Sequence, residues 1–133
     1  MKRLVVTVIA LYIALNACVL VYRSTWFGKS AGISRVILEQ LDNKVQDLPA
    51  GTPVLLVNLP DHLGYTFTFR NTFPAAAKVL KYDFDIEMVL DSKLAGLSSQ
   101  EQKDYVNQLR KTSNTVVFWY RNGKLVTPGA DGR

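Results

Sequence analysis

Residues 54–58, Val-Leu-Leu-Val-Asn, are an unbroken branched apolar run bounded by Pro53 on one side and Pro60 on the other. A strand with one wet face alternates apolar with polar; four apolar side chains in succession suit a strand covered on both faces. Covering both faces takes helices, so this short run predicts a layered α/β domain. Upstream, Ile33, Val36, Ile37, Leu41 and Val45 recur at intervals of three and four between Gly32 and Gln46, the period of a helix with one buried stripe. Leu48-Pro49-Ala50-Gly51-Thr52-Pro53 ends it.

Downstream, Leu59-Pro60-Asp61-His62-Leu63-Gly64 reads as a loop, and Tyr65-Thr66-Phe67-Thr68-Phe69-Arg70 alternates aromatic with polar, predicting a strand with its aromatic face on a core. Pro74 suits the first turn of a helix through Leu80. A third strand is expected over Asp85–Leu90. Ser98 with Glu101 is a capping-box signature for a helix turning Tyr105, Val106 and Leu109 inward. Thr115–Tyr120 and Leu125-Val126 flank Asn122-Gly123, the strongest short hairpin signal. The expected fold is a small mixed-sheet α/β domain over residues 31–133 that ends in a β-hairpin, preceded by an anchor and connector over residues 1–30.

The anchor is Leu4–Tyr22, LVVTVIALYIALNACVLVY, without a charge. At 1.5 Å per residue a helix of that length covers about 28 Å, the thickness of a hydrocarbon core. Tyr22 and Trp26 follow where amphipathic rings favour the headgroup layer. The run is too long for a cleaved secretory signal. Leu15-Asn16-Ala17-Cys18 has the outline of a lipoprotein signal, but the apolar run continues past the cysteine through Tyr22. The favoured reading is an uncleaved, single-pass transmembrane helix. Lys2 and Arg3, closer to the segment than the pair Arg23 and Lys29 taken together, favour a cytoplasmic N-terminus and an extracytoplasmic domain.

Charge excludes one function class. The formal net charge is +5, yet Lys2, Arg3, Arg23 and Lys29 precede residue 31 with no acid among them, leaving twelve basic against eleven acidic residues beyond. The high isoelectric point thus reports the flanks of a membrane segment, and nucleic acid is not an expected partner. The expected partners are the lipid bilayer and other membrane proteins. Cys18 is the single cysteine, so neither an intramolecular disulfide nor a multi-cysteine metal site can form.

Chemistry-bearing residues are few. Asp61 and His62 are the elements of a base and its orienter, but neighbours in sequence rarely face one another. Asp83, Asp85 and Glu87 would share one face of a strand and offer three carboxylates to a divalent cation, the basis of an alternative reading as a small metal-dependent enzyme. The competing explanation is the solvent side of an edge strand whose other face is Phe84, Ile86 and Met88. Glycine-rich phosphate loops, metal-spaced histidines and a nucleophile elbow are missing, and no cofactor is expected. The segment Asn58–Asn71 is the expected recognition surface, with Asn58, Asp61, His62, Tyr65, Arg70 and Asn71 as binding residues, since loops beyond the carboxyl ends of strands carry binding sites in α/β folds.

Val54-Leu55-Leu56-Val57-Asn58-Leu59-Pro60-Asp61, followed by the aromatic stretch closing on Phe69-Arg70-Asn71, resembles the extracytoplasmic C-terminal tails of bacterial multi-pass membrane proteins classed as glycosyltransferase-like. The resemblance covers about Tyr22 to Leu80. Thr72 stands where that pattern has glycine. The resemblance implies an accessory or interaction domain in which any transfer chemistry belongs to a membrane portion, and it carries no catalytic residue over to this chain. A periplasmic, non-enzymatic domain is the expectation it shares with the residue-level reading.

Overall fold

The computed structural model describes residues 2–64, 66–68, 84–110 and 112–128. Its first element, α1, is a single helix over Lys2–Val45. The expected anchor helix and the expected amphipathic helix are therefore one continuous rod, which runs through residue 30 without a break. Gly28 and Gly32 lower helix propensity, but neither supplies the missing donor or ring clash by which a proline would end the helix. The rod's two halves differ in surroundings: large apolar side chains from Leu4 to Tyr22 are exposed, whereas Ile37, Leu41 and Val45 are buried. Val36, placed in the same stripe by periodicity, is 45% exposed and lies at the edge of the packed face.

Strand β1 (Pro53–Leu59) is central. On one side it pairs in parallel with β4 (Asp85–Leu90), Val54 opposite Ile86 and Leu56 opposite Met88; on the other it pairs in parallel with β5 (Val116–Arg121), Leu56 opposite Phe118. β6 (Lys124–Val126) returns antiparallel along β5, giving the sheet order β4-β1-β5-β6. The turn residues Asn122 and Gly123 have φ of 49° and 79°, the left-handed pair that an Asn-Gly hairpin uses. Among the described residues the two remaining strands, β2 (His62–Leu63) and β3 (Thr66–Phe67), form a separate antiparallel hairpin.

Alternation along β1 builds two cores. Val54 and Leu56, with Leu59, pack with Phe118 and Leu125 under Ile37, Leu41 and Val45 of α1. Leu55 and Val57 face the other way, onto Leu94 of the short helix α2 (Asp91–Leu94) and Val106 of α3 (Ser99–Leu109), with Val117 and Trp119. The apolar run thus sits in the middle of a three-layer α/β/α arrangement. α2 was not anticipated from the sequence. α3 begins on a complete capping box: the Ser98 hydroxyl accepts from the Glu101 backbone N–H, and the Glu101 carboxylate accepts from the Ser98 N–H at 2.7 Å. Those bonds to Ser98, above all to its side chain, hold the Glu101 carboxyl below its ordinary value of 4.5. At the far edge, Gln40 of α1 clasps the terminal hairpin, donating to the Gly123 carbonyl at 2.9 Å and accepting from the Leu125 N–H at 2.7 Å.

The β2–β3 hairpin corrects one expectation. The aromatic face was to lie on the core, but Phe67 is 53% exposed while Thr66 and Thr68 are 6% and 7% exposed. The hairpin stands outside the main sheet and leans on a polar, small-residue part of α1. There Ser30 donates its hydroxyl to the Phe67 carbonyl and Ser34 to the Thr68 carbonyl, each at 3.3 Å. Both bonds go to backbone carbonyls, and the buried Thr68 hydroxyl has no hydrogen-bond partner among the described residues. The helix expected from Pro74 to Leu80 lies outside the described residues.

Candidate functional site

β1 sends the chain to β4 on one side, and the chain later returns to β5 on the other, so the strand order reverses beside β1. In open α/β sheets the crevice beyond the carboxyl ends of strands at such a reversal is the favoured ligand position. That crevice lies between β1 and β5; four groups converge on the neighbouring side of β1, where its end adjoins β4: Asp61 and His62 after β1, and Asp91 and Ser92 after β4.

Asp61 is 5% exposed. Its backbone N–H donates to Asp91 Oδ1 at 3.0 Å, and the Ser92 hydroxyl donates to its Oδ2, also at 3.0 Å. The carbonyl of Asp61 accepts from the Thr68 N–H at 2.9 Å, which ties the base of the β2–β3 hairpin to the strand end. His62 Nδ1 lies 3.5 Å from Asp61 Oδ2, and the ring rests against Phe67 with centroids 5.9 Å apart. Contrary to the expectation that neighbours point apart, the carboxylate and imidazole share a side of the turn. The His62 side chain is 54% exposed.

The order of these contacts limits the chemistry. A serine nucleophile needs its hydroxyl on the imidazole, with the carboxylate behind the ring. Here the carboxylate stands between, accepting from Ser92 and facing His62, so Ser92 gains no general base. The group is suited to hold a polar ligand through the imidazole edge and the Asp91 and Ser92 side chains, which are exposed.

Asn58 serves the frame. It sits in the left-handed region at φ 63°, where the register slips between Val57 and Leu59, and its amide donates to the Tyr120 carbonyl at 3.0 Å. It thereby joins the carboxyl ends of β1 and β5. Tyr65, Arg70 and Asn71 lie outside the described residues. Of the acidic triplet, Asp83 also lies outside them. Asp85 is exposed and Glu87 half-buried on β4, whose opposite face puts Phe84, Ile86 and Met88 against the α1 core, as an edge-strand explanation requires. Among the described residues no group of three metal-ligating side chains comes together.

A second concavity of about 490 Å³ opens between α3 and the β5–β6 edge. Lys103, Arg110 and Arg121 line it above Trp119, with the Arg121 guanidinium 5.2 Å from that ring. Two of these cations come from α3 and its C-cap and the third from β5, so a near-neutral domain charge concealed their meeting. Asp91 and Ser92 were missed for a similar reason, although an Asp-Ser pair directly after a strand is a turn signal that could have marked them.

Comparison with protein-family models, with curated proteins and with solved structures finds no match.

Proposed function

We propose that the chain is a single-pass membrane protein whose α/β domain is a recognition module held at the bilayer surface, with Lys2 in the cytoplasm and Arg133 outside. The observation that carries this reading is the divided character of α1. It is long and apolar enough to cross a membrane, its most apolar window is wholly unburied, and its last turns are core. Exposed apolar surface on that scale is far beyond what a soluble monomer leaves in water. The polar residues of the span support the same reading. Thr7 and Asn16, and Thr25 just beyond the span, each donate back to the carbonyl four residues earlier, at 2.8–2.9 Å, so each directs a donor into the helix's own backbone. Recognition rather than catalysis is supported by the strand-end site, where the buried carboxylate organises the turn and no nucleophile is activated.

Three measurements test this. The full chain should stay with membranes through carbonate extraction, and a reporter active only in the cytoplasm, fused after Arg133, should be silent. Recovery of the intact chain in the soluble fraction would refute the anchor, and an active reporter would reverse the sidedness. For the recognition role, His62→Ala should leave melting unchanged and reduce crosslinking to membrane neighbours; undiminished crosslinking would remove His62 from the surface.

A further inference from the structure

Resting on the membrane reading, we propose that the β2–β3 hairpin is a finger directed down α1 toward the bilayer, with its tip at Gly64 in the phospholipid headgroup layer. Three contacts fix its direction. Thr68, at the base, is bonded to Ser34; Phe67 is bonded to Ser30; and Gly64, at the tip, lies against Trp26 so closely that a Cβ there would fall 2.9 Å from the indole. Successive contacts thus descend one face of α1 toward the apolar segment.

The unbroken helix turns this order into heights. With Tyr22 at the edge of the hydrocarbon, Trp26 stands about 6 Å above it, Ser30 about 12 Å and Ser34 about 18 Å, at 1.5 Å of rise per residue. The headgroup layer on each side of a bilayer is about 5 to 8 Å deep. The tip therefore falls inside that layer, and Asp61 and His62 at the finger's base stand just above it. No flexible connector intervenes to let the domain drift away, because the helix that spans also carries Ile37, Leu41 and Val45 into the core.

The surroundings of the tip match lipid headgroups. Trp26 packs edge-on to Tyr22 with centroids 6.2 Å apart, an aromatic pair of the kind that anchors at an interface. Lys29 lies over the Trp26 ring at 4.8 Å, and Arg23 is exposed on the turn below. Aromatic rings with cations on the same face favour headgroup phosphates, and anionic lipids over zwitterionic ones. The finger gives the strand-end site a fixed orientation: a ligand presented by the lipid surface meets it first.

The test uses the full chain with Cys18→Ser, carrying a single fluorophore on Leu63→Cys or on Lys44→Cys, in vesicles containing phosphatidylglycerol and a lipid with a nitroxide on its headgroup. Lys44 lies at the upper end of α1 and is exposed, about 33 Å above Tyr22 by the same rise. Flotation with the vesicles is scored separately. The label at Leu63 should lose most of its emission to the nitroxide lipid while that at Lys44 keeps it. Cofloating chains with both labels unquenched would overturn the finger and leave the anchor standing. Equal quenching at both sites would mean a domain lying flat, which also overturns it. Chains that fail to float would refute the anchor and the finger with it.

Discussion

Substituting Gly64 by alanine isolates the contact on which the finger depends. Gly64 has a φ of 59°, and a methyl there would lie 2.9 Å, 2.9 Å and 3.0 Å from three atoms of the Trp26 ring. Two costs follow. Left-handed backbone costs a residue with a Cβ about 1–2 kcal/mol. Forcing the indole aside by about half an ångström adds about 1–3 kcal/mol, the range seen when packed sites are overfilled. The smaller freedom of alanine in the unfolded chain returns about 0.4–1 kcal/mol. The net local loss is therefore about 2–3 kcal/mol. It should appear in hydrogen exchange of the Thr68 amide, whose bond to the Asp61 carbonyl closes the finger. Exchange in the reconstituted full chain should accelerate by about thirtyfold or more, at about 1.4 kcal/mol per factor of ten. The decisive measurement is the same substitution in a Trp26→Ala background, where only the backbone cost less the unfolded-state return remains, about 0.8 kcal/mol, and the acceleration should shrink to about fourfold. Equal acceleration in both backgrounds would refute the steric account, and no acceleration in either would refute the placement of Gly64 against the helix.

Chain length should matter in a defined way: a chain truncated to begin at Gly32 loses Trp26 and Ser30, so its Thr68 amide should exchange much faster than in a chain beginning at Arg23, while amides of β1 stay equally protected in both. Ser92→Ala removes a donor from the buried Asp61 carboxylate and should cost about 1–3 kcal/mol in denaturant unfolding. Because Glu101 has a lower pKa folded than unfolded, its contribution to α3 is present above the ordinary glutamate range and is lost as pH falls through the lowered folded value. Glu101→Gln should flatten that part of the acid limb in a pH-dependent melt, and an unchanged limb would show that the capping carboxylate is not the group that titrates. Calcium, magnesium or manganese should leave the melting temperature of the full chain unchanged, whereas stabilisation abolished by Asp83→Asn, Asp85→Asn and Glu87→Gln together would restore the metal-enzyme alternative.

Local chemistry was legible wherever one interaction range dominates. The run at residues 54–58 implied a strand covered on both faces because four apolar side chains cannot be hidden on one side, and both cores are present as required. Asn122-Gly123 and Ser98 with Glu101 each carry their own hydrogen-bonding logic within four residues, so the closing hairpin and the capped helix followed directly. The length and apolarity of Leu4–Tyr22 implied a helix able to cross a membrane, since its backbone bonds are internal to the segment. Tertiary structure decided the rest. That the first helix carries a hairpin from more than thirty residues away on its flank, through Trp26, Ser30 and Ser34, is a pairing that no local pattern encodes. The alternation from Thr66 to Thr68 fixed that successive side chains face opposite ways, but not which set faces inward; the docking of the hairpin backbone on Ser30 and Ser34 put the threonines inward. The strand-end site joins Asp61 to Ser92 across thirty-one positions only because β1 and β4 are parallel neighbours. Periodicity reports what a segment hides; what it hides against is set by the elements that the fold brings beside it.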